Sequence, residues 1–347
     1  MSGHTTRLER DLEAIRSRVA GIGERVGNAV RDAVASLLNR DVDAGFAVVL
    51  DDLPINRDVR ALDADCHRFV ARHLPAAGHL RFVSAVLRLD IALERIGDYA
   101  VTIGRVGARL DGPIPDRLRS DIQRMADQSI QMLQLAIRAF VTGDAELARE
   151  TKALAPKIDT AYDQVFGHLM DQDREVLEIV RLLAVYDRLE RVSDQAKNVC
   201  EETMFVVSGE TKAPKRYRVL FVDQDNAMWS QLAEALARKS FTDKGTFRSA
   251  GLTPAAALDP RLADAAEELS VDVGLARVAG MPEMVAPPTG FHVVVSIGLE
   301  VHEILPQIDF HTALVRWPAP DAADVVGAAR QLSAGLADLM ETLRGDT

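Results

Sequence analysis

ALERIGDYAVTIGR, residues 92–105, recurs as RLERVSDQAKNVCE at residues 188–201. Each copy sets a glutamate four residues ahead of an aspartate, Glu94 with Asp98 and Glu190 with Asp194, and an arginine follows each glutamate. Four residues is just over one helical turn, so each pair projects from one strip of helix surface. With Leu93 as the core direction and ~100° per residue, Glu94 lies about 100° round and Asp98 about 140° round, on the edge of the core face. Asp90 falls on the same strip; in the second copy Asp187 precedes the pair and Asn198 follows it. Two carboxylates one turn apart repel unless something positive lies between them. A hard cation with oxygen ligands suits them, as does iron or manganese. The plain alternative is solvated surface charge paired with Arg95 and Arg191. Recurrence of the pair inside a longer shared pattern favours a ligand role.

Working outward, helical periodicity runs almost unbroken through the first 210 residues. Leu8, Leu12, Ile15, Val19, Ile22, Val26, Val30, Val34 and Leu37 form one apolar seam. Phe82, Val86, Leu89, Leu93, Ile96, Ala100 and Ile103 form another, and a third runs from Leu118 through Ile122, Met125 and Met132 to Phe140. Asp41 and Asp144 follow the first and third seams and suit N-caps between antiparallel helices. Gly112-Pro113 and Pro115 break the chain between the two copies. These features predict two three-helix units, about 5–111 and 113–210, related by duplication.

The pattern changes at TKAPKRYRVLFV, residues 211–222, where Lys212, Pro214, Lys215 and Arg216 read as a polar linker. The expected domains are therefore 1–213 and 214–347. In the second, strands are predicted at 217–222, 291–297 and 312–316, with helices at 231–239 and 324–343. Alternating strands and helices imply βαβ units and a parallel sheet. The fold class is thus multidomain, an all-α pair of three-helix bundles followed by an α/β parallel-sheet domain.

Composition narrows the function classes. Among 347 residues, 41 Lys and Arg face 52 Asp and Glu, a net charge of −11, which argues against a nucleic-acid partner. Cys66 and Cys200 are too few and too far apart for a disulfide framework or a structural zinc site. The charged N-terminus has no signal-peptide core, and no run of ~18 apolar residues spans a bilayer. A cytoplasmic chain is expected, without direct membrane insertion, reaching the inner membrane through partners alone.

Residues 1–210 resemble the PhoU family of phosphate-signalling regulators. HLRFVSAVLRLDIALERIGDYAVTI, residues 79–103, is similar to the family's first signature, and VLEIVRLLAVYDRLERVSDQAKNVCEETMFVVSGE, residues 176–210, to its second. The resemblance implies metal at Glu94, Asp98, Glu190 and Asp194, with Asp90, Asp187 and Asn198 as further candidates. Iron, zinc, manganese and magnesium are the candidate ions. It also implies inhibition of a phosphate ABC transporter, through its ATPase, and of a sensor histidine kinase when phosphate is plentiful. A homodimer is the expected assembly. The chain departs from the family at His79, where an acid is usual, and at Thr102, where asparagine is commoner.

VLFVDQDNAMWSQLAEALARKS, residues 219–240, resembles the first strand, loop and helix of low-molecular-weight tyrosine phosphatases and the related arsenate reductases. FRSAGLTPAAALDPRLADAAEEL at 247–269 and WPAPD at 317–321 extend the likeness. That chemistry needs a low-pKa thiolate, an arginine with backbone N–H groups around the oxyanion, and an aspartic acid for the leaving group. Matched to the family pattern, the nucleophile position holds Asp223, the loop glycine Asp225 and the arginine position Trp229. Asn226 and Ser230 match, and Asp321 stands at the general-acid position. Two carboxylates and no arginine should reject phosphate. No enzyme is expected; Trp229 would pack into the emptied cradle or meet a partner. The expected function is regulation of phosphate uptake and starvation signalling, with a pseudo-phosphatase module attached. The alternative is an active phosphatase or arsenate reductase under helical control.

Overall fold

A computed structural model describes residues 2–170, 175–209, 215–274, 276–285, 290–308 and 312–344. The chain divides into two compact units, 1–212 and 213–347. Lys212 and Pro214 of the expected linker lie outside the described residues, as does the 213/214 junction.

The described residues of the first unit form helices and short connections: α1 (Ser2–Asn39), α2 (Val42–His73), α3 (Ala77–Gly107), α4 (Asp116–Thr142), α5 (Ala145–Lys152), α6 (Ala155–Met170) and α7 (Val176–Ser208). Asp41 caps α2 by accepting the N–H of Ala44 at 2.9 Å. Asp144 caps α5 the same way, taking the N–H groups of Glu146 and Leu147. Gly143 ends α4 in the left-handed region, at φ 68°.

The second three-helix repeat differs from expectation in its middle helix, which is split into α5 and α6. Pro156 has no N–H to continue the α5 ladder and is accommodated instead in the first turn of α6. All seven helices feed one core that includes Leu12, Ile22, Leu93, Ile122, Leu189 and Val199. Each such side chain contributes ~1.5–3 kcal/mol on burial. In the first repeat α2 and α3 approach until a Cβ on Gly104 would stand 2.8 Å from the Gly45 carbonyl oxygen. Across the repeats α3 packs on α7, where Arg88 grips Glu202 through Nε at 2.6 Å and Nη2 at 2.5 Å.

The second unit runs β1 (Tyr217–Asp223), α8 (Trp229–Ser240), β2 (Gly245–Gly251), α9 (Arg261–Leu269), α10 (Met281–Val285), β3 (Val293–Ile297), α11 (Val301–Ile304), β4 (Ala313–Trp317) and α12 (Val325–Arg344). The sheet is parallel in the order β2-β1-β3-β4. Val219 and Phe221 point to the layer of Leu232, Leu262 and Leu332; Leu220 and Val222 point to that of Met281 and Ile304. Burial on both faces explains the continuous apolar run of β1. Because β1 has β2 on one side and β3 on the other, the loop after β1 sits at the point where strand order reverses.

Strand β2 is absent from the sequence expectation. GTFRSAG carries glycine at both ends with Arg and Ser between, a weak strand signal; pairing with β1 from Tyr217↔Gly245 to Asp223↔Gly251 creates it.

Candidate functional site

On α3, Glu94 and Asp98 are both exposed, one turn apart at the rim of the core. Facing them from α2 is Asp52, which is 9% exposed. Its Oδ2 accepts from Asn56 Nδ2 at 2.6 Å, and its Oδ1 has no hydrogen-bond partner among the described residues. A Cβ on Gly97 would lie 2.6 Å from that oxygen, so the glycine between the two signature acids is the seat of the Asp52 carboxylate. Burial pushes the Asp52 carboxyl above its ordinary value, reinforced by Asp98 and Glu94. Asp90, one turn before Glu94, is buried with neither oxygen partnered among the described residues. Burial, followed by Asp63 and Glu94, pushes it up to about 7.

The second pair has a different environment. Glu190 is half-buried and pushed up to about 7 by burial, then by Asp194, Asp159 and Asp187. Asp194 Oδ1 accepts from Lys197 Nζ at 2.9 Å, whereas the matching position in the first repeat is Val101. Asp187 is engaged by Arg188 and by Arg191 at 3.2 Å, and Asn198 is exposed, donating to Gln195 Oε1 at 3.4 Å. Counted from the capping residues Asp41 and Asp144, Asp52 corresponds to Ala155 and Asn56 to Asp159. The duplication has kept the signature acids and changed what surrounds them.

These sites suit a hard cation in kind: all-oxygen donors on adjacent helices, with an unsatisfied carboxylate oxygen behind the first pair. Among the described residues no three His, Cys, Asp or Glu side chains are gathered closely enough to hold an ion as placed. Asp52 escaped the sequence reading. Its signal was available in DDLPIN, where Asp52 and Asn56 stand four apart on an otherwise apolar helix face.

In the second unit the loop between β1 and α8 closes on Asp223. Its Oδ1 accepts the N–H of Asn226 at 2.6 Å and its Oδ2 that of Ser230 at 2.9 Å. Burial pushes this carboxyl up, against the pull of those hydrogen bonds. Asn226 is fully buried at φ 54°, a left-handed conformation that asparagine tolerates. Its Nδ2 donates to Ser230 Oγ at 2.8 Å, and its Oδ1 accepts from Ala279 N–H at 2.8 Å and Gln231 Nε2 at 3.0 Å. Asp225 is exposed and accepts the N–H of Ala227 at 3.0 Å. Trp229 is half-buried against the layer containing Leu232. Asp321 is exposed, and its Oδ1 accepts the N–H of Ala323 at 2.9 Å in the turn before α12.

The PhoU domain pattern matches residues 19–106 and 122–203. A Pseudomonas putida protein described as a phosphate-specific transport system accessory protein PhoU homologue is 32% identical over 205 residues, covering 57% of this chain and 80% of that protein. The chain belongs to the PhoU family. The crystal structure of PhoU from Pseudomonas aeruginosa is 31% identical, covers 58% of this chain and 99% of its own, and has a TM-score of 0.56. An arsenate reductase in the phosphate binding state aligns at 21% identity over 37% of this chain and 98% of its own, with a TM-score of 0.32. Both carboxylate pairs of the PhoU unit, with Asp52 and Asp159, fall inside the matched stretches. No described helix is long and apolar enough to cross a membrane.

Proposed function

We propose that this PhoU-family chain regulates phosphate uptake and phosphate-starvation signalling, restraining a phosphate ABC transporter and its sensor histidine kinase when phosphate is plentiful. The observation that carries the reading is the duplicated carboxylate pair, Glu94/Asp98 and Glu190/Asp194, held at matching positions of two packed repeats. Asp52 backs the first pair with an oxygen that has no hydrogen-bond partner among the described residues. Divalent or iron-class cations would be held by Glu94, Asp98 and Asp52 in the first repeat and by Glu190 and Asp194 in the second. Bound there, a cation neutralises acids that otherwise repel across one helical turn. The α/β unit is a module without hydrolytic activity, because Asp223 occupies the N–H groups that a phosphate would need.

The test is a phosphate-starvation reporter in a host deleted for this chain, grown in high phosphate. The wild-type chain restores repression. The quadruple variant Glu94→Gln/Asp98→Asn/Glu190→Gln/Asp194→Asn, produced at equal level and equally helical, leaves the reporter on. Full repression by that variant would remove the carboxylates from the regulatory function.

A further inference from the structure

A second polar centre in the α/β unit lies beside the closed loop. Between α8, β2 and the segment leading into α10 there is a cleft of 270 Å³, lined by Gln231, Glu234, Arg238, Arg248, Ser249 and Arg277 together with Met284. Three of these side chains are guanidiniums, each from a different segment, a local reversal of sign in a chain of net charge −11.

The floor of the cleft is built, not merely polar. Glu234, Ser249 and Gln231 are 9%, 4% and 4% exposed. Ser249 Oγ donates to Glu234 Oε2 at 2.7 Å, which fixes that carboxylate. Its other oxygen faces Arg238 Nη1 at 3.6 Å and Arg248 Nη1 at 3.7 Å, within ion-pair reach but beyond a hydrogen bond. Glu234 therefore draws two guanidiniums without taking a hydrogen bond from either, while Arg238 Nη2 reaches the Asp272 carbonyl at 3.4 Å. Arg277 gives one Nη2 to Glu283 at 2.7 Å and remains largely exposed. Gln231 ties the floor to the loop, donating to Asn226 Oδ1 at 3.0 Å and to the Arg277 carbonyl at 2.8 Å.

We propose that this cleft is an oxyanion site that takes the phosphoryl group of a small ligand. A carboxylate offers two oxygens and is satisfied by one guanidinium fork. A phosphoryl group offers three and can be engaged from several directions at once, as arginines from three segments allow. The volume falls just under the ~300–1,000 Å³ typical of drug-sized ligands, which points to orthophosphate, pyrophosphate or a phosphomonoester. In the loop after β1 the N–H groups of Asn226 and Ser230 are taken by Asp223, whereas three guanidiniums converge on the cleft beside it. This assignment is independent of the cation reading of the helical unit.

Calorimetry on the full chain, at fixed ionic strength, with orthophosphate, pyrophosphate, adenosine monophosphate and citrate tests it. At least one phosphate-bearing probe should bind, and which one binds identifies free phosphate or a phosphoester as the source. Arg248→Gln/Arg277→Gln, at two exposed side chains, should leave the circular dichroism unchanged and weaken that binding by about tenfold or more. The metal content of the helical unit should not change. Absence of binding by all three phosphate probes at millimolar concentration would overturn the proposal. So would unchanged affinity in the double arginine variant, or citrate binding as tightly as the phosphates.

Discussion

Asp223 Oδ2 accepts the backbone N–H of Ser230 at 2.9 Å, seven residues further along and in the first turn of α8. Helix N-termini favour anions because their first N–H groups have no partner within the helix. Here the oxygens that take those N–H groups are supplied by the chain itself. An incoming phosphate would have to displace a buried carboxyl that already accepts from Asn226 and Ser230.

Hydrolysis of an aryl phosphate by the purified chain should accordingly stay at background, and turnover that vanished in Asp223→Asn would contradict this. Asp223→Ala strands the N–H groups of Asn226 and Ser230 in a buried loop and should destabilise the second unit by about 2 kcal/mol or more. Both tryptophans, Trp229 and Trp317, lie in that unit, so denaturation followed by tryptophan fluorescence reads it alone.

Cation uptake should be unequal between the repeats. Asp194 already has Lys197 at 2.9 Å, and the repeat has Ala155 where the first has Asp52. Elemental analysis after dialysis should show that Glu94→Gln/Asp98→Asn removes more bound metal than Glu190→Gln/Asp194→Asn. Replacing Lys197 with Met should raise the content of the second site. Equal losses from the two double variants would mean that Lys197 and Asp52 do not set the difference.

Gly104→Ala should destabilise the helical unit by about 1–3 kcal/mol, because the added methyl meets the Gly45 backbone and forces α2 from α3. Gly27→Ala makes the control: nothing lies within 4 Å of its Cβ position, and alanine is the better helix former. A thermal melt in which both variants lost stability equally would argue against the close approach.

Acid stability should depend on Asp11. Hydrogen bonds from His73, at 2.9 Å, and Arg72, at 2.9 Å, hold its carboxyl below the ordinary 3.8. A carboxyl whose pKa is lowered by folding contributes stability in full above the unfolded value and loses it as pH falls through the folded one. Asp11→Asn should therefore weaken the α1–α2 contact at neutral pH and follow the wild type more closely below pH 3.8. Helical circular dichroism in denaturant across that range provides the check; a gap between the proteins that persisted undiminished into strong acid would exclude Asp11 as its source.

The duplication, the N-caps at Asp41 and Asp144, the parallel α/β character of the second unit and the signature acids were all legible in the sequence. Each depends on residues close together in the chain: helical spacing, an oxygen placed to cap a helix, a continuous apolar run. Tertiary structure decided the rest. Asp52 meets the first carboxylate pair only because Gly97 leaves room for it across the α2–α3 contact, and Asp90 is buried on α3 within reach of the charge of Asp63 on α2. Strand β2 exists because β1 pairs with it, and Arg238, Arg248 and Arg277 share a cleft because the sheet brings three separate segments together. Local spacing fixes which face of a helix or strand a residue occupies; which other segment meets that face depends on packing between elements far apart in the chain.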